Sequence, residues 1–186
     1  HKKNFVHART IENQNENIRA MNEKIRKSEE KYKFLVENTS DIFWIFDLAT
    51  MSYTYSSKSV ERILGYTSED AMGMKIDDIY DRDTKKAVLA AFSRIVTGDA
   101  PSDWIVMEAE HIAKNGNRVW MEINAVLNRD VLGKPIAFNG VNRDITERKR
   151  AERQKEEAAE AIRRSEERYR LLAENSDDVI FTLDPE

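Results

Sequence analysis

The chain predicts an α+β fold: a globular centre of five strands and several short helices, held between two long charged helices. Three observations predict it. All six glycines lie between Gly65 and Gly140, with Pro101 and Pro135 among them, whereas both flanks are almost free of backbone breakers. Inside that centre, runs of alternating apolar and polar residues mark strands. Outside it, charge dominates, and the 34% of charged residues in the whole chain fits long solvated helices.

The N-terminal flank, 1–36, carries Ile11, Ile18, Ile25 and Tyr32 at seven-residue spacing, with Met21 and Leu35 three residues after two of them. This is an a/d stripe with isoleucine at a, the choice that favours a parallel two-stranded coiled coil. Gln14 and Ser28 occupy the other d positions and weaken it. Two readings stay open: a dimer helix with Ile11, Ile18, Met21 and Ile25 in its seam, or an amphipathic helix packed on its own domain. The narrowness of the stripe favours the dimer.

The centre, 37–146, opens with two strands, 42–48 and 52–56, joined by a short turn. Short helices fill 57–98, where Thr67 is placed to cap one of them, with Asp70 three residues on. The longest helix is expected over 83–96 and stops at Gly98. Three strands follow at 103–112, 118–128 and 135–144. Asn115-Gly116 signals the first hairpin and Leu132-Gly133-Lys134-Pro135 the second turn. A linker helix over 147–174 carries a thinner stripe of Ala151, Ala158, Ile162, Tyr169 and Leu172.

The segment IRKSEEKYKFLVENTSDIFWIFD (25–47) recurs as IRRSEERYRLLAENSDDVIFTLD (162–184) at a constant offset with no gap. A helix followed by a strand therefore starts twice. Residues 175–186 are expected to be the truncated start of a second domain like the first. The chain begins with His1, which suggests a fragment of a longer protein.

Side-chain alternation assigns the faces of the strands. Ile42, Trp44 and Phe46 point inward. So do Ile105, Met107, Ala109 and His111; Val119, Met121, Ile123 and Ala125; and Ile136, Phe138, Gly140 and Asn142. Glu108, Glu110 and Glu122 mark the outer face, because an unpaired buried carboxylate is costly. His111 and Asn142 are the polar residues on the inner face. They are candidates for a ligand site of apolar walls and a few polar groups, or they satisfy backbone groups at strand ends. Trp44 reads as core before platform. Met107 and Met121 read as core too, though flexible methionine also lines adaptable pockets. Trp120 faces outward among charges, which suggests cover by a helix or a second subunit.

Several classes are disfavoured. The net charge of −4 argues against nucleic acid as a partner. No cysteine is present, so disulfides, thiolate metal sites and cysteine nucleophiles are out. No apolar run approaches the roughly 20 residues of a membrane span. No nucleotide-binding glycine loop, metal-ligand cluster or nucleophile–base–acid set supports an enzyme.

The segments SEEKYKFLVENTSDIFWIFD, SVERILGYTSEDAMG, EAEHIAKNGNRVWME and GVNRDITERKRAE, in this order, resemble the PAS family of sensory domains of the S-box/PAC type. The resemblance covers about 28–152 and again 165–186. It implies a five-stranded antiparallel sheet with short helices over one face and a ligand pocket between. It also implies a regulatory role in a larger signalling protein of the two-component type, a sensor histidine kinase or alternatively a diguanylate cyclase. The kinase or cyclase domain would lie outside this chain, which is not itself an enzyme. The expected location is the cytoplasm, in a parent that an upstream span can anchor to a membrane.

The family's last strand passes directly into an output helix, and here Asp144, Ile145 and Thr146 form that junction. Asp144 is placed to cap the helix with Glu147 at its third position. The candidate ligand-binding set is Trp44, Phe46, Met107, His111, Met121, Ile123 and Asn142. The photosensing branch bonds flavin through a cysteine, which is lacking here. Haem-binding members present a histidine from the long helix, and the histidines here are His1, His7 and His111. Haem is thus disfavoured. A non-covalent flavin, another small molecule, or a packed core serving as a dimerisation spacer all stay open.

Overall fold

A computed structural model of the chain describes residues 2–174, with side chains over 14–172. The expected second-domain start at 175–186 and the side chain of Ile11 lie outside these described residues. The chain forms two compact units, His1–Asp144 and Ile145–Glu186.

The first unit opens with helix α1 (Lys2–Glu37) and continues through β1 (Ile42–Asp47), β2 (Ser52–Ser56), α2 (Ser59–Leu64), α3 (Ser68–Ala71), α4 (Ile76–Ile79), α5 (Arg82–Thr97), β3 (Trp104–Ile112), β4 (Arg118–Arg129) and β5 (Pro135–Asp144). The second unit is helix α6 (Thr146–Glu174) among the described residues. The five strands form one sheet in the order β2-β1-β5-β4-β3, with every neighbouring pair antiparallel.

Local chemistry explains where the elements begin and end. Asp47 Oδ1 accepts hydrogen bonds from the backbone N–H of Ala49 and of Thr50 and so nucleates the β1–β2 turn. Thr67 and Asp70 form the expected capping box, each side chain accepting from the other's backbone N–H at 3.0 Å. Asp81 caps α5 by accepting from Thr84 N–H at 2.9 Å. Gly98 ends that helix in the left-handed conformation, at φ 83°.

The β3–β4 and β4–β5 hairpins turn in the same way. In each, two residues pair across a three-residue loop whose last member is a left-handed glycine: Ala113 with Asn117 around Gly116, and Asp130 with Lys134 around Gly133. This is the type I turn with a glycine bulge, the next most common hairpin after the two-residue loop.

The core lies between the inner face of the sheet and the short helices. Val88, Phe92 and Ile95 of α5, Val60 and Leu64 of α2, and Ile76 and Ile79 of α4 cover the inward residues of β1, β4 and β5. Each such large side chain stabilises the fold by about 1.5–3 kcal/mol on burial. The alternation assigned from sequence holds along β1, β3 and β4. On β5 it needs one correction. Ile136 shares the inner-face parity of Phe138 yet is 43% exposed, because it is the extra residue of a β-bulge, where Asn128 pairs with Ala137 but Arg129 with Pro135, and the bulge breaks the two-residue period. Trp120 is half-buried on the outer face. Trp104, on the same face, is exposed instead.

The stripe on α1 is not packed on its own domain. Ile18, Met21, Ile25, Tyr32 and Leu35 are all exposed. On α6, Ile162, Tyr169 and Leu172 are exposed as well. Arg26 links Glu23 and Glu30 along α1, and Arg153 and Arg164 make similar one-turn pairs on α6. Such pairs contribute a few tenths of a kcal/mol each to a solvated helix, roughly 0.2–0.5.

Candidate functional site

Four strands and the segment between α4 and α5 bring a chain of polar side chains into the apolar interior. Trp44 on β1 is buried, and its indole Nε1–H donates to Asn142 Oδ1 on β5 at 2.7 Å. Asn142 Nδ2 lies 3.1 Å from His111 Nε2 on β3. The Tyr80 hydroxyl reaches the same nitrogen at 2.9 Å. The Tyr53 hydroxyl on β2 interacts with that of Tyr80.

The donor inventory orients this chain. Indole can only donate, so Asn142 must present its oxygen to Trp44 and its amide N–H to His111. His111 Nε2 therefore accepts, and the imidazole proton sits on Nδ1. That Nδ1 is buried and has no hydrogen-bond partner of good geometry. Burial pushes the His111 imidazole down to about 4, against an opposing pull from the Ala109 backbone. Burial likewise raises the Tyr53 and Tyr80 phenols above their ordinary value. Every member is thus neutral near pH 7.

Tyr80 is held from both sides. It ends α4, and the next residue, Asp81, caps α5. Asp81 also pairs with Arg118 at 2.7 Å, and the Thr84 N–H and this guanidinium together hold its carboxyl down at about 2.

Trp44, Tyr53, His111 and Asn142 border a cavity of about 40 Å³, lined also by Ser56 and Tyr66 among others. A water molecule occupies roughly 30 Å³ in the liquid, whereas drug-sized ligand pockets span about 300–1,000 Å³. The rest of the interior is filled by rings. Phe92 stacks on Phe138 with centroids 4.4 Å apart, and Trp44 lies over Phe92 at 6.5 Å. As these side chains stand, the polar cavity does not admit a flavin.

Of the residues singled out from sequence, Trp44, His111 and Asn142 come together at the cavity. Phe46 borders a separate open cleft with Phe92 and Phe138. Met121 and Ile123 are fully buried in the core off the cavity, and Met107 is half-buried against the core. Tyr53, Ser56, Tyr66 and Tyr80 were not singled out. Tyr80 carried a signal: with Ile76 and Ile79 it completes one apolar face of a short helical segment, and a buried phenol needs a partner.

At the junction, β5 ends at Asp144 and α6 begins at Thr146, so a single residue lies between them. The Ile145 carbonyl accepts the first helical bond, from Lys149 N–H at 2.9 Å. The helix frame therefore starts one residue later than the sequence suggested. Ile145 holds the cap position, Asp144 precedes it, and Glu147 is the second helical residue. No group of acidic or histidine side chains able to hold a metal ion occurs among the described residues. No helix among them is long and apolar enough to cross a membrane.

Comparison with known proteins agrees with this geometry. A family model described as PAS fold matches residues 36–150. A "Methyl sulfide methyltransferase-associated sensor" of Methanosarcina acetivorans is 29% identical over 128 residues. That match covers 69% of this chain but only 12% of the relative's length. Among solved structures, a PAS domain from Colwellia psychrerythraea superposes with a TM-score of 0.56 at 21% identity, covering 66% of this chain and 98% of that one. A sensory box histidine kinase/response regulator structure from Burkholderia thailandensis gives 0.58 at 23%, covering 72% and 98%. At these identities the structures speak for the fold alone.

Proposed function

The chain belongs to the PAS fold family, whose domains are sensory, non-catalytic modules, and from that premise we propose that it is a relay module of a multidomain signal-transduction protein, a cytoplasmic part of a sensor histidine kinase. The carrying observation is the direct run of β5 into α6, with only Ile145 between strand and helix. A strand that shifts by a fraction of an ångström displaces a helix joined to it this closely, whereas a loop would absorb the motion. The ring-filled interior supports relay over the capture of a large cofactor. The exposed stripes on both flanking helices support a homodimer in which paired helices carry the signal.

The test uses the intact parent protein. Asp144→Ala, and separately one glycine inserted after Ile145, should leave the domain folded and change basal autophosphorylation or its response to stimulus. If both variants behave as wild type in both respects, the junction does not carry the signal.

A second reading rests on the buried Nδ1 of His111, which makes no hydrogen bond of good geometry. A buried polar atom beside a cavity of water size suits a small neutral polar molecule rather than a ring system. Native mass spectrometry of the purified chain, followed by denaturation, checks this reading. A released small molecule supports sensing at this site, and a dimer of unaltered mass supports pure relay.

A further inference from the structure

The open cleft bordered by Phe46 lies at the far end of the core from His111 and is a site of a different kind. Its volume is about 430 Å³, inside the range of small-molecule pockets, whereas the polar cavity is roughly a tenth of that. Leu48, Met51, Leu89, Val96 and Pro135 line it with partly exposed apolar surface, the buried rings of Phe46, Phe92 and Phe138 lie behind them, and Lys134 of the β4–β5 turn stands among its lining residues.

Lys134 is held there by its backbone. Its N–H donates to Asp130 Oδ1 at 2.9 Å, and its carbonyl accepts from Asp130 N–H at 2.9 Å. The side chain has no ion-pair partner among the described residues. The nearest acid along the chain, Asp130, is engaged with the N–H groups of Leu132 and Lys134. No carboxylate lines the cleft. An apolar trough with a single uncommitted ammonium is complementary to an apolar body with one negative end.

We propose that this cleft binds a medium-chain aliphatic carboxylate, with its hydrocarbon against Leu48, Met51, Leu89 and Val96 and its carboxylate on Lys134. Burying the chain supplies affinity in proportion to its apolar area. The charge-assisted hydrogen bond from Lys134 supplies orientation and discrimination against neutral chains. Binding at this cleft stands or falls independently of the relay reading, because it is measured without any output domain.

The experiment titrates the full chain with sodium decanoate below its micelle concentration, by calorimetry and by amide chemical shifts. Decanol serves as the uncharged probe, and Lys134→Glu as the surface variant that leaves the core untouched. The expected result is saturable decanoate binding with shifts centred on Phe92, Val96 and Phe138. Affinity should fall about five- to tenfold in Lys134→Glu and to a similar degree for decanol against the wild type. Absence of saturable binding overturns the proposal. So does equal affinity for decanol and decanoate, or an unchanged affinity in Lys134→Glu, because the cleft is then only apolar surface. Shifts centred on His111 and Trp44 overturn the location. A concentration-dependent shift of the cleft residues without any probe overturns it in favour of a second copy of the chain.

Discussion

The indole N–H of Trp44 donates to Asn142 Oδ1 at 2.7 Å, tying β1 to β5 by their side chains although 98 residues separate the two. The bond fixes which way the Asn142 amide points, and through it the tautomer of His111. One donor-only group thus determines the arrangement of the whole buried chain.

Asn142→Ala removes the acceptor of Trp44 and one of the donors to His111 Nε2. Leaving a buried polar group unpaired costs about 1–3 kcal/mol, so the variant should lose roughly 2–3 kcal/mol in urea unfolding with an unchanged slope. Trp44→Phe removes the donor instead. The double variant should be less destabilised than the sum of the singles, by about 1 kcal/mol. Additivity within roughly 0.5 kcal/mol would mean the two side chains do not act as a pair.

His111 makes stability depend on pH. Its folded value is depressed to about 4 by burial, below its ordinary 6.5. Between these values the unfolded chain binds a proton that the folded chain refuses, so stability rises with pH across that window. The contribution is fully present above about pH 6.5 and is lost as pH falls toward 4, by about 3 kcal/mol in total. The groups facing the ring, Tyr80 and Asn142, are neutral and cannot compensate a cation. His111→Gln should flatten the dependence between pH 7 and pH 5 in denaturant titrations. An equally steep loss in the variant would assign the effect to other groups.

Gly140 lies under the indole of Trp44. A Cβ added there would come within 2.1 Å of Cζ2 and 2.4 Å of Cε2 of the ring. Trp44 is flanked by Phe92 and Tyr53, with ring centroids 6.5 and 5.6 Å away, which limit its movement. Gly140→Ala should therefore destabilise the domain by about 1–3 kcal/mol through overpacking. Trp44→Phe in the same chain should recover part of that loss, since the smaller ring lacks the atoms that clash. If the double variant is no more stable than Gly140→Ala alone, the contact is not the cause.

The strand faces were legible in the sequence because Glu108, Glu110 and Glu122 reveal the outer side of each pairing, and period two carries the assignment along the strand. Ile136 shows the limit of that reasoning. Alternation assumes an unbroken period, and the bulge that leaves Ile136 between the paired residues Pro135 and Ala137 breaks it. The inner-face positions of His111 and Asn142 were legible for the same reason. Their partnership was not, because Asn142 and His111 lie on strands separated by β4 and meet Trp44 and Tyr80 only through the order β2-β1-β5-β4-β3. The junction was legible to within one residue. Asp144 has the better capping side chain, but the strand register runs through it and passes the cap position to Ile145.

The exposed stripe of α1 yields the last prediction. Ile18, Met21 and Ile25 are 56%, 65% and 49% exposed in the single chain, and an apolar seam of this spacing gains stability only by meeting another. The full chain should sediment as a dimer at micromolar concentration. Ile25→Glu places a carboxylate at an a position, where desolvation in the seam is costly. It should shift the chain to monomer while the pH-dependent unfolding of the domain stays unchanged, since Ile25 contributes nothing to the core. A wild-type chain that sediments as a monomer would remove the seam from the account. A dimer that survives Ile25→Glu would move the interface elsewhere, with the outer sheet face of Phe43, Ile45, Trp104, Val126 and Val141 as the surface to probe next.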